Sequence, residues 1–172
     1  MKSTIKFGGK MSNDNQQATR PKKHVTFLKM ATNLSEQSTC IRRQVGCILV
    51  DRHDHIIGSG YNGNATGMTH CINYPCAGSE LPSREGLHIC EAVHAEQNAL
   101  MQCANVNEIE ICYTSASPCM HCMKMLMNTS CKLLVFLKVY DEDALNLWMT
   151  NSRETGRNYI IFFPGILKFG TS

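Results

Sequence analysis

One histidine, one glutamate and two cysteines stand at a spacing that can hold a metal and move a proton. His94-Ala95-Glu96 is followed, some two dozen residues on, by Pro118-Cys119-Met120-His121-Cys122. An imidazole and two thiolates are good zinc ligands. Three protein ligands leave the fourth tetrahedral position to water, as in catalytic zinc sites, whereas structural zinc is normally closed by four. Zinc lowers the pKa of water it binds, so that hydroxide exists near neutral pH. Cys119 and Cys122, three residues apart, fall on one face of a helix. Glu96 lies two residues beyond His94, on a neighbouring face, from which a carboxylate can reach over the water and carry its proton to a substrate.

A Cys-x-x-Cys alone is as often a redox pair or half of a structural site, and a His-x-Glu alone means little. Their joint order, with the proline and a helix–strand unit between them, is the signature of zinc-dependent nucleobase deaminases. On this reading Glu96 is the catalytic acid and base, His94, Cys119 and Cys122 hold the catalytic zinc, and carbon four of a cytosine ring is attacked. The rival reading is a non-catalytic, zinc-stapled binding module. It requires a fourth protein ligand at this metal and leaves Glu96 without a task.

A second group of potential ligands crowds an irregular stretch. His70, Cys71, Cys76, His88 and Cys90 lie within it, and Cys40 ends the first helix. A closed zinc would staple so long a loop by removing freedom from the unfolded chain. The favoured set is Cys40, Cys71 and His88, with Cys76 or Cys90 as the fourth. The plainer alternative is buried free thiols and surface histidines. His121 and the pair His53 and His55 read as packed or solvated residues, not ligands.

The elements that must position these groups can be read from apolar periodicity. A helix is expected over 25–37, a hairpin with strands near 44–50 and 55–60, and a long loop over 61–89. Then come a helix at 91–104, a strand at 108–113, a helix at 119–127 and a strand at 132–139. A helix at 141–149 and a strand at 159–163 follow. Short strands alternating with helices predict a three-layer α/β/α fold around a mixed central sheet. Cys47, Cys103, Cys112 and Cys131 are expected in the core. Val45, Val50, Ile56 and Ile57 are likewise assigned to packing, not to the pocket, and Trp148 and Met149 to the core in preference to a subunit contact.

The chain of 172 residues suits one domain, 25–172, behind a flexible basic leader, 1–24. Net charge is +3, but the leader carries +5, leaving −2 for the rest. A folded part of that charge lacks the basic stripe that long nucleic acids require. No signal peptide and no membrane-length apolar run are visible. Ten cysteines without a secretory leader point to a reducing, cytoplasmic setting.

The chain resembles the cytidine deaminase-like superfamily, and within it the deoxycytidylate (dCMP) deaminases, viral members included. The resemblance covers roughly 25–163. It rests on Cys40 to Gly46, Gly60-Tyr61-Asn62-Gly63-Asn64-Ala65-Thr66-Gly67, His70-Cys71, His94 to Ala99, and Ser117 to Cys122. It implies a cytidine deaminase-like fold that converts dCMP to dUMP and ammonia. It further implies that Asn62, Ala95, Ala116, Ser117 and Tyr140 bind substrate; Arg42 and Arg43 are candidates for phosphate, with a surface or subunit-contact role as the equal alternative. A homohexamer is implied, activated by dCTP with Mg2+ and inhibited by dTTP. The effector would lie near Asn64 and Gly67, with Arg42 and Arg43. A host cytoplasm is implied for a viral member, as is dCTP as a second substrate in some relatives. Nucleoside and polynucleotide deaminases share the zinc motifs.

Overall fold

The computed structural model describes residues 22–163 and 166–169, except 83, 84 and 87. Most of the expected leader therefore lies outside the described residues. Of its last three residues, Lys23 and His24 already belong to helix α1, Lys23–Ser35. Strand β1 (Gly46–Val50) turns into β2 (Ile56–Tyr61), and a two-residue ladder joins β3 (Gly63–Asn64) to β4 (Ala92–Val93). Helix α2 (Ala95–Gln102) and β5 (Ile111–Thr114) follow, then α3 (Met120–Met127) and β6 (Leu133–Phe136). Helices α4 (Glu142–Met149) and α5 (Ser152–Thr155) precede β7 (Asn158–Phe163) and β8 (Ile166–Phe169).

Six strands form one sheet in the order β2-β1-β5-β6-β7-β8. β5, β6 and β7 run parallel, and the pairs β1–β2, β1–β5 and β7–β8 are antiparallel. Alternation along the strands feeds two cores. Ile48, Val50, Ile111, Tyr113 and Val135 face α1 through Leu28 and Ala31. Cys47, Leu49, Cys112, Leu134 and Phe136 face the opposite way, onto α2, α3 and α4. The fold is thus three layers around a mixed sheet, as the sequence pattern predicts. No helix among the described residues is long and apolar enough to cross a membrane.

Several boundaries move for identifiable reasons. The helix expected at 91–104 shortens to α2 because Ala92 and Val93 pair with Asn64 and Gly63, and because the Gln97 side chain accepts the His94 backbone N–H at 2.8 Å. Helix α1 stops at Ser35, where the amides of Glu36 and Gln37 turn back to the carbonyls of Asn33 and Leu34. Strand β8, helix α5 and the β3–β4 ladder were not anticipated. Ile56, assigned to the core, is 44% exposed at the start of the outermost strand, and Cys103 is only half-buried. Cys47, Cys112, Cys131 and Trp148 are buried as expected, and Trp148 Nε1 donates to the Asn158 carbonyl at 2.9 Å.

Helix α2 rests directly on the backbone of β2. A Cβ placed on Gly60 would lie 2.5 Å from both the Ala95 carbonyl oxygen and the Ala99 nitrogen, and one on Gly58 would lie 2.6 Å from the Ala99 carbonyl oxygen. Neither obstacle is a flexible side-chain end, so the helix itself must move. Gly60→Ala is expected to destabilise the chain by about 1–3 kcal/mol, the usual cost of overpacking, as read by the urea midpoint. It also shifts the helix that carries Glu96.

Candidate active site

The three expected zinc ligands converge. His94 precedes the first residue of α2, and Cys119 precedes the first residue of α3. His94 Nδ1 lies 3.3 Å from Cys119 Sγ and 3.4 Å from Cys122 Sγ. For a tetrahedral zinc with ordinary Zn–N and Zn–S bonds the nitrogen-to-sulfur edge is about 3.6 Å, so the donor set fits that ion. Among the described residues, no other group of three His, Cys, Asp or Glu donors gathers within 4.8 Å.

Electrostatics prepare one sulfur for a metal, while the other two donors must give up a proton to bind it. A hydrogen bond from Cys122 in the first place, and one from His94 after burial is counted, lower the Cys119 pKa to about 3, so this sulfur is a thiolate. The Cys122 thiol is pushed up, by Cys119 beside it and then by burial. His94 is raised chiefly by its bond to Cys119. Glu96 is only 4% exposed, and burial pushes its carboxyl above the usual range. A carboxyl shifted upward in this way holds a proton more readily than an exposed one, as suits a group that must take a proton and return it.

A cavity of about 310 Å³ opens over this centre. Ala95, Glu96, Ala116, Ser117 and Tyr140 line it, as do Asn62, Arg42 and Arg43. Asn62 is buried, and both ends of its amide serve the backbone. Its Oδ1 accepts from Val45 N at 2.8 Å and its Nδ2 donates to the Arg43 carbonyl at 2.7 Å. With two amide hydrogens and two lone pairs on the oxygen, the group can make further bonds beyond these two. Arg43 lies over the Tyr140 ring, 4.2 Å from its centroid. The Arg42 guanidinium instead holds the carbonyls of Pro82 and Glu85. Val45, assigned to packing alone, is corrected: it sits one residue before β1 and lines the cavity while also touching the core. Leu81 and Ala92 join the same wall without any signal in sequence that would have placed them there.

The residues grouped for an effector do not gather. Arg42 and Arg43 line the cavity of Glu96, whereas Asn64 and Gly67 line a second cavity of about 580 Å³ beside Tyr61 and His70. Asn64 is committed to Glu91 Oε2 at 3.1 Å and to the Cys71 amide at 3.0 Å. Gly67 adopts φ +88°, a conformation that favours glycine. Of the second ligand group, Cys71 Sγ and Cys76 Sγ lie 3.9 Å apart, and Cys40, Cys71 and Cys76 are buried. Cys90 is half-buried, and Cys40 and Cys76 lie close enough to act on it electrostatically. His88 is exposed and His121 is solvated.

Residues 21–138 match the family described as the cytidine and deoxycytidylate deaminase zinc-binding region. A deoxycytidylate deaminase of Saccharomyces cerevisiae is 31% identical over 144 residues, 81% of this chain and 46% of that protein. One from Mycobacterium phage D29 is 32% identical over 126 residues, 70% of this chain and 98% of that protein. The chain spans 46%, 40% and 61% of the curated relatives from Saccharomyces cerevisiae, Schizosaccharomyces pombe and Caenorhabditis elegans. Among solved structures, dCMP deaminase from the cyanophage S-TIM5 in complex with dCMP and dUMP superposes with a TM-score of 0.66 at 24% identity. That match covers 84% of this chain and 99% of the phage chain, and it shows the fold.

Proposed function

The chain belongs to the cytidine and deoxycytidylate deaminase family, and on that footing we propose that it is a zinc-dependent dCMP deaminase. The observation that carries this reading is one cavity whose wall holds His94, Cys119 and a buried Glu96, with Cys122 behind them. His94, Cys119 and Cys122 would hold the zinc, which would supply a nucleophile from water at neutral pH. Glu96 accepts the proton released as water attacks carbon four, and passes it to ring nitrogen three. A second proton through the same carboxylate accompanies the amine as it leaves. Water and dCMP become dUMP and ammonia. Tyr140, Ala95 and Ala116 line the space for the base, and Asn62 offers its spare amide hydrogen to the sugar. Arg43, which lines the cavity, is the proposed cation for a phosphate, while Arg42 is committed to the carbonyls of Pro82 and Glu85.

The test is ammonia release from dCMP, dCTP, deoxycytidine and a cytosine-containing oligonucleotide. The proposal expects dCMP to have the highest kcat/KM, by about tenfold or more over the nucleoside if one charge-assisted contact to phosphate is worth about 1.5–3 kcal/mol. Oligonucleotide turnover exceeding that of dCMP would overturn it.

Regulation and assembly belong to the same proposal. A homohexamer activated by dCTP with Mg2+ and inhibited by dTTP rests on the family resemblance alone, and the second cavity, lined by Asn64 and Gly67 but not by Arg42 or Arg43, is the place proposed for the effector. Steady-state rates with each triphosphate, together with sedimentation, decide it. A second, structural zinc is supported by the close Cys71–Cys76 pair, by Cys40 and Cys90 nearby, and by the lowered pKa of Cys76, due first to its backbone bond with Glu91. Cys71 and Cys76 form its proposed core, and Cys40 and Cys90 would have to close on them to complete it, since no third donor gathers with that pair within 4.8 Å among the described residues; the exposed His88 is left out. Metal analysis should then give two zinc ions per chain, falling to one when Cys71 and Cys76 are both replaced by Ser.

A further inference from the structure

Two loops meet behind the metal centre. One leads from β5 into α3, carries Ser117 and Cys119, and ends at Met120, the first residue of α3. The other leads from β6 into α4 and carries Lys138, Tyr140 and Asp141. Hydrogen bonds fasten them together. Ser117 N donates to the Lys138 carbonyl at 2.8 Å, and Ser117 Oγ accepts from Tyr140 N at 2.8 Å. Asp141 Oδ2 accepts from Met120 N at 3.2 Å, while its Oδ1 accepts from Ala144 N at 3.0 Å. One carboxylate therefore joins the first turns of two helices.

The place of these bonds gives them a consequence for chemistry. The amides of a first helical turn have no partner within the helix. In α3, the Cys122 amide serves the Cys119 sulfur, and the Met120 amide, next to that same cysteine, is taken by Asp141. The neighbour of Asp141 is Tyr140, which forms the cavity wall under Arg43. The carboxylate thus ties the metal-ligand segment to the wall against which a substrate base must rest.

We propose that Asp141, with Ser117, is a positioning residue that fixes the Tyr140 wall relative to Cys119 and Cys122 and so sets how the base is aligned for attack. This rests on the reading of the cavity as a deamination site. The capping role of Asp141 on α4 can be separated from the bridge. Asp141→Ser keeps an N-cap oxygen for α4 but is too short to reach Met120 as well. Asp141→Asn keeps one acceptor oxygen and puts an amide nitrogen, which cannot accept, in place of the other.

Both variants are expected to melt close to wild type and to bind zinc in full. Their kcat for dCMP should fall about 10- to 100-fold with a change in KM of less than about threefold, the pattern of misalignment. In cobalt(II)-substituted protein the sulfur-to-metal charge-transfer band should shift, since loss of the Met120 tie lets the α3 start, and with it the Cys119 sulfur, move relative to the metal. Ser117→Ala should reproduce the fall in kcat. Wild-type kcat and an unmoved cobalt band in both Asp141 variants would overturn the proposal. So would losses of kcat no larger than the loss of folded protein. A wild-type chain that deaminates no cytosine nucleotide would instead defeat the functional reading on which the proposal stands.

Discussion

Glu96→Gln is expected to lower kcat on dCMP by about 10²–10⁴-fold, the range for loss of a general acid–base group, while zinc content and folded fraction stay at wild-type levels. The substitution keeps size and shape at a site only 4% exposed, so it opens no cavity. What disappears is the group that accepts one proton and returns another. Burial already raises the Glu96 pKa, and an amide has no such titration. The measurement is ammonia release at saturating dCMP, with metal analysis on the same sample. Turnover at the wild-type rate by this variant would remove Glu96 from the chemistry and with it the deaminase reading.

Cys119→Ser is expected to abolish turnover and to drop zinc at the catalytic centre to a small fraction of one per chain. A serine hydroxyl stays protonated where the Cys119 sulfur, with its pKa lowered to about 3, is an anion ready to bind metal. Without it, two donors remain of three. Added zinc should not restore the rate. His94→Ala should behave alike. The Gln97 side-chain bond to the backbone of residue 94 survives the substitution, whereas the reciprocal bond from the Gln97 backbone to the His94 ring is lost, so the folded fraction is measured on the same sample as zinc. Zinc retention and turnover in either variant would show that these atoms are not the ligands.

The donor set that gathers around the candidate metal position was legible because each half of it is local in sequence. His94 and Glu96 share one helix start, and Cys119 and Cys122 another. Only the folding of the sheet had to bring the halves together. What could not be read were features made by pairs distant in the chain. Ala92 and Val93 have no strand length of their own and become extended by pairing with Gly63 and Asn64. Val45 looks like any apolar residue at a strand start, and whether it meets core or cavity depends on where Asn62 pins its amide. Asp141 is recognisable as a helix cap, since it stands before an amphipathic run. Its second bond, to Met120, joins residues twenty-one apart and leaves no local signature. The effector residues separated for the same reason, since Arg43 and Asn64 lie on opposite sides of the Asn62 contact.

The chain has a single tryptophan, and Trp148 is fully buried, bonded to the Asn158 carbonyl, with the Arg157 guanidinium 5.2 Å from its ring centroid. It lines neither cavity. Its fluorescence therefore reports the seam between α4 and β7 and is silent about nucleotide occupancy. Emission that stays blue-shifted while catalysis vanishes marks a chemical lesion, and a red shift marks an unfolded chain. The molecule thus carries an optical control by which its own active-site variants can be judged.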